Sequence, residues 1–114
     1  MLVLANQFRD RFRFEKRLEE EDPFGNTEGE WQVLFTRRVC LRAQKGGETV
    51  LAQRLQSQQP VLVIVRRDSE TSLIQPDWRL VDERTDIIYA IHTVYDMERH
   101  GRHITLLCET GVVA

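Results

Sequence analysis

Apolar and charged residues alternate along the start of the chain. Between positions 8 and 19, most even positions are apolar and every odd position is charged. A period of two is typical of a strand that buries one face and exposes the other. The buried face would carry Phe8, Phe12, Phe14 and Leu18. The exposed face would carry a stripe of arginines at Arg9, Arg11, Arg13 and Arg17.

A second alternating run, over positions 31–43, follows a segment rich in acidic residues, proline and glycine. Such a segment is typical of a turn, so the two runs predict one long hairpin. Its buried face is expected to hold Phe12, Phe14, Trp31, Val33 and Phe35. Its polar face would extend the arginine stripe with Arg38 and Arg42. Its tip would be acidic, at Glu19, Glu20, Glu21 and Asp22.

The rest of the chain predicts four more strands and one helix. A long excursion, Ala43–Pro60, contains a short amphipathic helix over 48–58, with Gln53 and Gln56 at its polar, glutamine-rich end. Further strands are predicted over 61–65, 78–81, 87–96 and 104–110. The run 61–65 is entirely apolar, which suits a strand buried on both faces. We therefore expect a mainly all-β fold: a small antiparallel β-barrel or sandwich of about six strands in a single domain over residues 1–114.

Composition narrows the classes of function. The formal net charge is −2, which argues against a protein whose whole surface binds nucleic acid. The longest apolar run, Val61 to Val65, is far shorter than the ~20 residues that span a membrane. Of the 16 basic residues only Lys16 and Lys45 are lysine. Arginine presents a planar fork that suits carboxylates, phosphates and protein interfaces.

The residues that could perform chemistry are few. His100 and His103 flank a glycine in a predicted turn, and His92 lies within a predicted strand. Strand parity places Cys40 on the polar side and Cys108 in the core, so no disulfide is expected between them. There is no phosphate-binding loop, glycine-rich dinucleotide turn or nucleophile elbow in the sequence. We expect no enzymatic activity, no metal site and no cofactor.

The arginine stripe therefore becomes the main functional candidate. Sheets that bind nucleic acid usually place aromatic rings beside the basic residues, but the phenylalanines of the first strand are predicted to face the core. The arginines suit a protein interface or contacts to a phosphate backbone, with Arg9, Arg11, Arg13, Arg38 and Arg42 as the candidates. Gln53 and Gln56 are further candidates for an interface. They could also pair along the sheet with Glu15 and Glu19. An alternative function is a small monomeric β-barrel that binds nucleic acid or a regulatory protein.

The order of these elements is itself informative. The alternating strand Arg11-Phe12-Arg13-Phe14-Glu15 is followed by an acidic, glycine-containing turn that leads to Trp31, and then by Gly47-Glu48 at the start of the short helix. The later segments are Val61 to Arg66, Trp78-Arg79-Leu80, Tyr89-Ala90-Ile91 and Leu106-Leu107-Cys108-Glu109. In this order and spacing the chain resembles the head–tail joining proteins, also called head-closure or stopper proteins, of long-tailed bacteriophages and gene transfer agents. The resemblance covers nearly the whole chain.

The resemblance implies a structural, non-enzymatic virion protein, synthesised in the cytoplasm of a bacterial host. Such proteins form a ring, of six or twelve subunits, at the head–tail junction. The implied partners are the portal and adaptor ring on one side and tail proteins on the other, with passive contact to packaged DNA and none to a membrane. A channel for DNA should be neutral or acidic, which is compatible with the acidic tip at Glu19–Asp22.

Overall fold

The protein folds into a closed antiparallel barrel. The structure, a computed structural model, describes residues 5–19, 28–43, 59–95 and 101–110. Within these ranges the strands are β1 (Asp10–Glu19), β2 (Glu28–Ala43), β3 (Gln59–Arg66), β4 (Arg79–Asp82), β5 (Ile88–Tyr95) and β6 (His103–Thr110). Their order around the barrel is β1-β2-β3-β6-β5-β4, with every neighbouring pair antiparallel. The predicted antiparallel β fold of about six strands is confirmed, and of the two predicted forms, barrel or sandwich, it is the barrel.

Some of the predicted features lie outside the described residues. These are the helix over 48–58 with Gln53 and Gln56, and the hairpin-tip residues Glu20, Glu21 and Asp22. Glu19 is the last residue of β1. The described part of the chain also contains two short 3-10 turns, Ala5–Gln7 and Thr71–Leu73.

The barrel interior is filled by aliphatic and aromatic side chains from all six strands. Phe12 and Phe14 of β1 are fully buried, as their parity predicted. The Phe14 ring stacks on Phe35 with centroids 4.9 Å apart, and Phe12 lies 4.9 Å from the ring of Tyr89. Val63 and Val65 of β3 point into this core, while Ile64 is buried on the opposite face of the same strand. The expectation that this strand is buried on both faces is confirmed.

A β-bulge in β2 changes which side chains reach the core. Phe14 pairs with Phe35, but the next residue, Glu15, pairs with Val33, so Leu34 is the extra residue. Because one inserted residue reverses the alternation beyond it, Val33 is 48% exposed. The prediction that Trp31 and Val33 share the buried face of Phe12, Phe14 and Phe35 was therefore wrong.

Strand β5 is also interrupted by a register shift. Ile91 pairs with Cys108 and Thr93 with Leu107, so His92 is the unpaired residue. As a result Ile91 and Val94 both pack against the core, whereas strict alternation along a strand places residues three apart on opposite sides.

The segment before β1 folds over the outside of the barrel. Phe8 forms a second apolar cluster with Cys40 and Ile64, so the prediction that it shares the face of Phe12 was wrong. Cys40 lies on the predicted side of β2 but is only 4% exposed, because Phe8 covers it. Cys108 lies in the barrel core, as predicted, where burial raises the pKa of its thiol to about 12. Both cysteines are free.

Candidate interaction surface

Three arginines form a row across neighbouring strands. Arg11 of β1 lies directly opposite Arg38 of β2. Since Val39 pairs with Val65, the same register places Arg38 beside Arg66 of β3. All three residues are exposed. Neighbouring strands lie ~4.8 Å apart, so the backbones of these three arginines lie within about 10 Å of one another. We call Arg11, Arg38 and Arg66 the arginine row.

The arginine row is poorly compensated by the rest of the described structure. The Nε atom of Arg11 is 3.8 Å from a carboxylate oxygen of Glu83. The Arg66 guanidinium lies 4.5 Å from the centroid of the Phe8 ring. No carboxylate in the described ranges forms an ion pair with Arg38 or Arg66. Like charges directly opposite each other on paired strands are destabilising, so an anionic group placed beside Arg11 and Arg38 would relieve their repulsion.

The arginine row borders a cleft of about 450 Å³. Its lining residues are Arg11, Thr36, Arg37, Arg38, Val65, Arg66 and Asp68. Four arginines and one carboxylate therefore surround a single cavity. A second cleft, of about 530 Å³, lies on the other side of Arg11 and has a balanced lining of acidic and basic residues: Arg9, Asp10, Arg11, Asp82, Glu83 and Arg84. The first cleft is thus the more suitable for an acidic group.

Arg37 fixes the wall of the first cleft rather than adding free charge to it. Its Nε donates to Asp68 Oδ2 at 3.0 Å, and its Nη2 pairs with Glu70. The other oxygen of Asp68 accepts hydrogen bonds from the backbone N–H groups of Glu70 and Thr71, each at 2.8 Å. This network orders the loop that follows β3. The positive charge available in the cleft therefore comes from the arginine row.

The same network lowers the pKa of Asp68. Burial alone raises it, but the hydrogen bonds from the Thr71 N–H and from Arg37 outweigh burial, so the pKa lies below its ordinary value. The pKa of Arg37 is raised in turn, chiefly by its hydrogen bond to Asp68.

We expect Asp68→Asn to lower the melting temperature at neutral pH, with a difference from wild type that shrinks on acidification. A carboxyl with a lowered folded-state pKa contributes stability above its unfolded pKa of about 3.9 and loses it as the pH falls through the folded value. Thermal melts between neutral pH and about pH 3 would measure this, with the exposed Asp77→Asn as the matched control. The size of the effect is limited, because the Asp68 side chain is 39% exposed. A difference that stays constant over that range would contradict the prediction.

The structure divides the predicted face of arginines into separate groups. Arg11 and Arg38 lie together in the arginine row. Arg9 donates from Nε to the carbonyl of Asn6 at 3.0 Å, and Arg42 donates to the side chain of Gln7 at 3.3 Å, so both contact the N-terminal turn. Arg13 instead forms ion pairs with Glu15 at 3.5 Å and Asp86 at 3.6 Å. The interface role of these arginines stays a prediction.

A buried ion pair anchors the outer face of β1. Glu15 is only 5% exposed, and Arg79 of β4 donates from Nε to its Oε1 at 2.7 Å. The guanidinium of Arg79 also lies 4.4 Å from the centroid of the Trp31 ring, and that of Arg17 lies 4.9 Å from it. The sequence indicated Glu15 as a solvent-facing residue. In the structure Glu15 is buried and pairs with Arg79, a partner 64 residues away.

The far end of the β1–β2 hairpin extends past its neighbours. Strand β4 pairs with β1 only over Phe12–Glu15, and β3 pairs with β2 only over Val39–Ala43. Residues 16–19 and 28–32 therefore pair only with each other in the described structure. This end of the hairpin, which finishes at Glu19, is the end of the strand remote from Arg11.

Sequence reasoning missed Arg66 and Arg37 as surface candidates. Arg66 ends the apolar run of β3, and its parity with Ile64 could have assigned it to the outer face. Its position beside Arg38 depends on the pairing of β2 with β3, which is not visible in either strand alone. Arg37 has the same parity as Phe35, and its guanidinium lies 4.8 Å from the centroid of that ring.

Two other features are absent from the described ranges. No helix there has the length and apolar character needed to cross a membrane. No group of three or more His, Cys, Asp or Glu residues in those ranges is arranged to hold a metal ion.

Known proteins with a similar sequence pattern or structure support the fold described above. The model of the phage head completion protein family matches residues 3–111. A chain from the virion of a native gene transfer agent particle superposes with a TM-score of 0.64 at 19% identity, covering 93% of this chain and 96% of that one. Protein SF1141 from Shigella flexneri 2a superposes with a TM-score of 0.65 at 14% identity, covering 98% and 100%. No curated protein matches the sequence significantly. Because the family model spans nearly the entire chain, the protein belongs to the phage head completion protein family.

Proposed function

We propose that this structural virion protein forms a ring at the head–tail junction, closes the DNA-filled head beneath the portal and adaptor, and provides the docking surface for the tail. The observation that carries the proposal is the match to the phage head completion family over residues 3–111. The likeness to a chain of a gene transfer agent virion supports it at the level of the fold. In this role the protein acts by binding its neighbours and has no enzymatic activity.

The two ends of the β1–β2 hairpin suit a ring subunit. One end carries the arginine row and its cleft, and the other extends past the neighbouring strands. Contacts between copies in a ring join two different surfaces of the same subunit. A subunit with chemically distinct opposite ends meets that requirement.

We expect the purified protein to be monomeric at micromolar concentration and to assemble on a portal–adaptor template. The exposed large apolar side chains of the described residues are Val33, Leu73, Ile87 and Tyr95, and they come from different parts of the fold. Scattered apolar residues do not drive strong association, and each exposed ion pair contributes only about 0–1 kcal/mol. A portal–adaptor template would hold the subunits side by side, which raises their effective concentration and allows many weak contacts to form together. Sedimentation velocity would measure the oligomeric state, and a tight dimer at micromolar concentration would contradict the ring.

Deletion of the gene in a producing strain tests the proposed function. We expect DNA-filled heads that lack tails and lose their DNA, visible by electron microscopy and as packaged DNA that becomes sensitive to nuclease. Complementation with the wild-type gene should restore tailed particles. Tailed, infectious or transducing particles from the deletion strain would contradict the proposal.

The arginine row can be tested in the same strain by complementation with Arg11→Glu/Arg38→Glu. Both residues are exposed, so the fold should be retained while tailed particles are lost. Arg13 is not a suitable second position for this variant, because Arg13→Glu would place a carboxylate beside the buried Glu15. The matched control is Arg84→Glu/Arg102→Glu, which changes two exposed arginines outside the arginine row. Normal particles from the Arg11/Arg38 variant would exclude the arginine row from the function.

A further inference from the structure

The arginine row and the most acidic segment of the chain lie at opposite ends of β1. Arg11 is the second residue of the strand, and the run Glu19-Glu20-Glu21-Asp22 begins at its last residue. Eight residues of extended strand separate Arg11 from Glu19, which corresponds to ~27 Å. Glu20, Glu21 and Asp22 lie at most three residues further along the chain, a reach of about 11 Å. The acidic run therefore begins about 27 Å from Arg11, at the end of β1 that is remote from the arginine row.

We propose that the arginine row binds the acidic run of a second copy of this chain. The three arginines of the row line the 450 Å³ cleft together with Arg37. Among its described lining residues only Asp68 supplies a carboxylate, which Arg37 already engages. The acidic run offers four consecutive carboxylates. Arginine and carboxylate form short, charge-assisted and often bidentate hydrogen bonds. The acidic run thus supplies the negative charge and the carboxylate oxygens that would pair with the arginines of the cleft.

The geometry favours a copy of the same chain over an unrelated acidic partner. A basic cleft at one end of a strand and an acidic run at the other make a heterologous contact, which each added subunit can repeat. The contact would also relieve the repulsion between Arg11 and Arg38, which face each other directly across β1 and β2. This inference deepens the proposed function by naming the contact between subunits, and it rests on that function only in requiring that copies associate.

A charge-swap experiment tests the contact. One variant reverses the arginine row, Arg11→Glu/Arg38→Glu/Arg66→Glu, and the other reverses the acidic run, Glu20→Arg/Glu21→Arg/Asp22→Arg. Each variant alone would present like charges at the contact. In an equimolar mixture, the reversed, acidic row of the first variant can bind the reversed, basic run of the second. The unchanged basic row of the second variant can likewise bind the unchanged acidic run of the first.

Sedimentation equilibrium at low ionic strength and high protein concentration gives the readout. We expect weak, salt-sensitive self-association of the wild type, weakened about tenfold or more in each variant alone, and restored in the mixture. The control Arg9→Glu/Arg84→Glu/Arg102→Glu has the same change in charge as the row variant and should associate like wild type. Circular dichroism would show that each variant is folded, and the acidic-run variant leaves all described strands unchanged.

Several outcomes would overturn the inference. These are absence of self-association in the wild type, a variant that associates as strongly as wild type, or a mixture that fails to recover. A further possible outcome is that the wild type binds short duplex DNA, the row variant does not, and the mixture does not recover self-association. That result would mean that the arginine row binds nucleic acid instead. If the mixture fails while the deletion strain still produces leaking, tailless heads, the inference is wrong and the proposed function stands. If the mixture associates while the deletion strain makes normal particles, the inferred contact stands and the proposed function is wrong.

Discussion

Truncation of Phe14 to alanine is expected to lower the free energy of unfolding by about 3–5 kcal/mol. The side chain is fully buried, and its ring stacks on Phe35 at 4.9 Å. It also lies in the short part of β1 that pairs with both β2 and β4, where Leu80 is its partner on β4. The surrounding strands are tied by hydrogen bonds on both sides, so they can close little of the cavity that the missing ring leaves.

Urea unfolding followed by tryptophan fluorescence would measure this loss. Domains of this size are stable by only about 5–15 kcal/mol, so the variant should unfold at a much lower urea concentration. Val33→Ala is the matched control: it lies on the other strand of the same hairpin, is 48% exposed, and should change stability by no more than about 0.5 kcal/mol. An unchanged midpoint for Phe14→Ala would show that the barrel is not packed around this ring.

Removal of the Glu15 carboxylate is expected to cost about 3 kcal/mol, at the lower end of the range for breaking a buried ion pair. Glu15→Ala leaves the guanidinium of Arg79 without its partner at 2.7 Å, and that side chain is only 19% exposed. The position of Arg79 against Trp31 depends on the same contact. The loss of one charge thus leaves the other poorly solvated.

A double-mutant cycle with Arg79→Ala would separate the pair from the rest of the packing. We expect the double variant Glu15→Ala/Arg79→Ala to be more stable than the sum of the single effects predicts, because neither member of this pair is then left without the other. Glu83→Ala is the control for an exposed pair, since Glu83 is 3.8 Å from the exposed Arg11, and it should cost about 0–1 kcal/mol. Equal effects of Glu15→Ala and Glu83→Ala would mean that burial of Glu15 has no energetic consequence.

Local patterns in the sequence were sufficient for the strands and for much of the core. Alternation over 8–19 placed Phe12 and Phe14 inside the barrel, and the continuous apolar run over 61–65 predicted a strand buried on both faces. The separation of Cys40 and Cys108 onto different faces followed from parity in the same way. These properties depend on which residues are apolar and on a period of two, and both are visible within a single strand. The order of the elements was enough to indicate the family.

The tertiary structure decided the features that depend on pairing between strands. The extra residue Leu34 reverses the alternation of β2 and turns Val33 to solvent, although Val33 fits the apolar pattern of its run. Glu15 is buried, and it pairs there with Arg79, which lies 64 residues later in the chain. The arginine row exists only in the register that places Arg11 beside Arg38 and Arg38 beside Arg66. Each strand presents its own faces through local chemistry, but the hydrogen-bonded register between distant segments determines which side chains meet, and a single inserted residue is enough to change it.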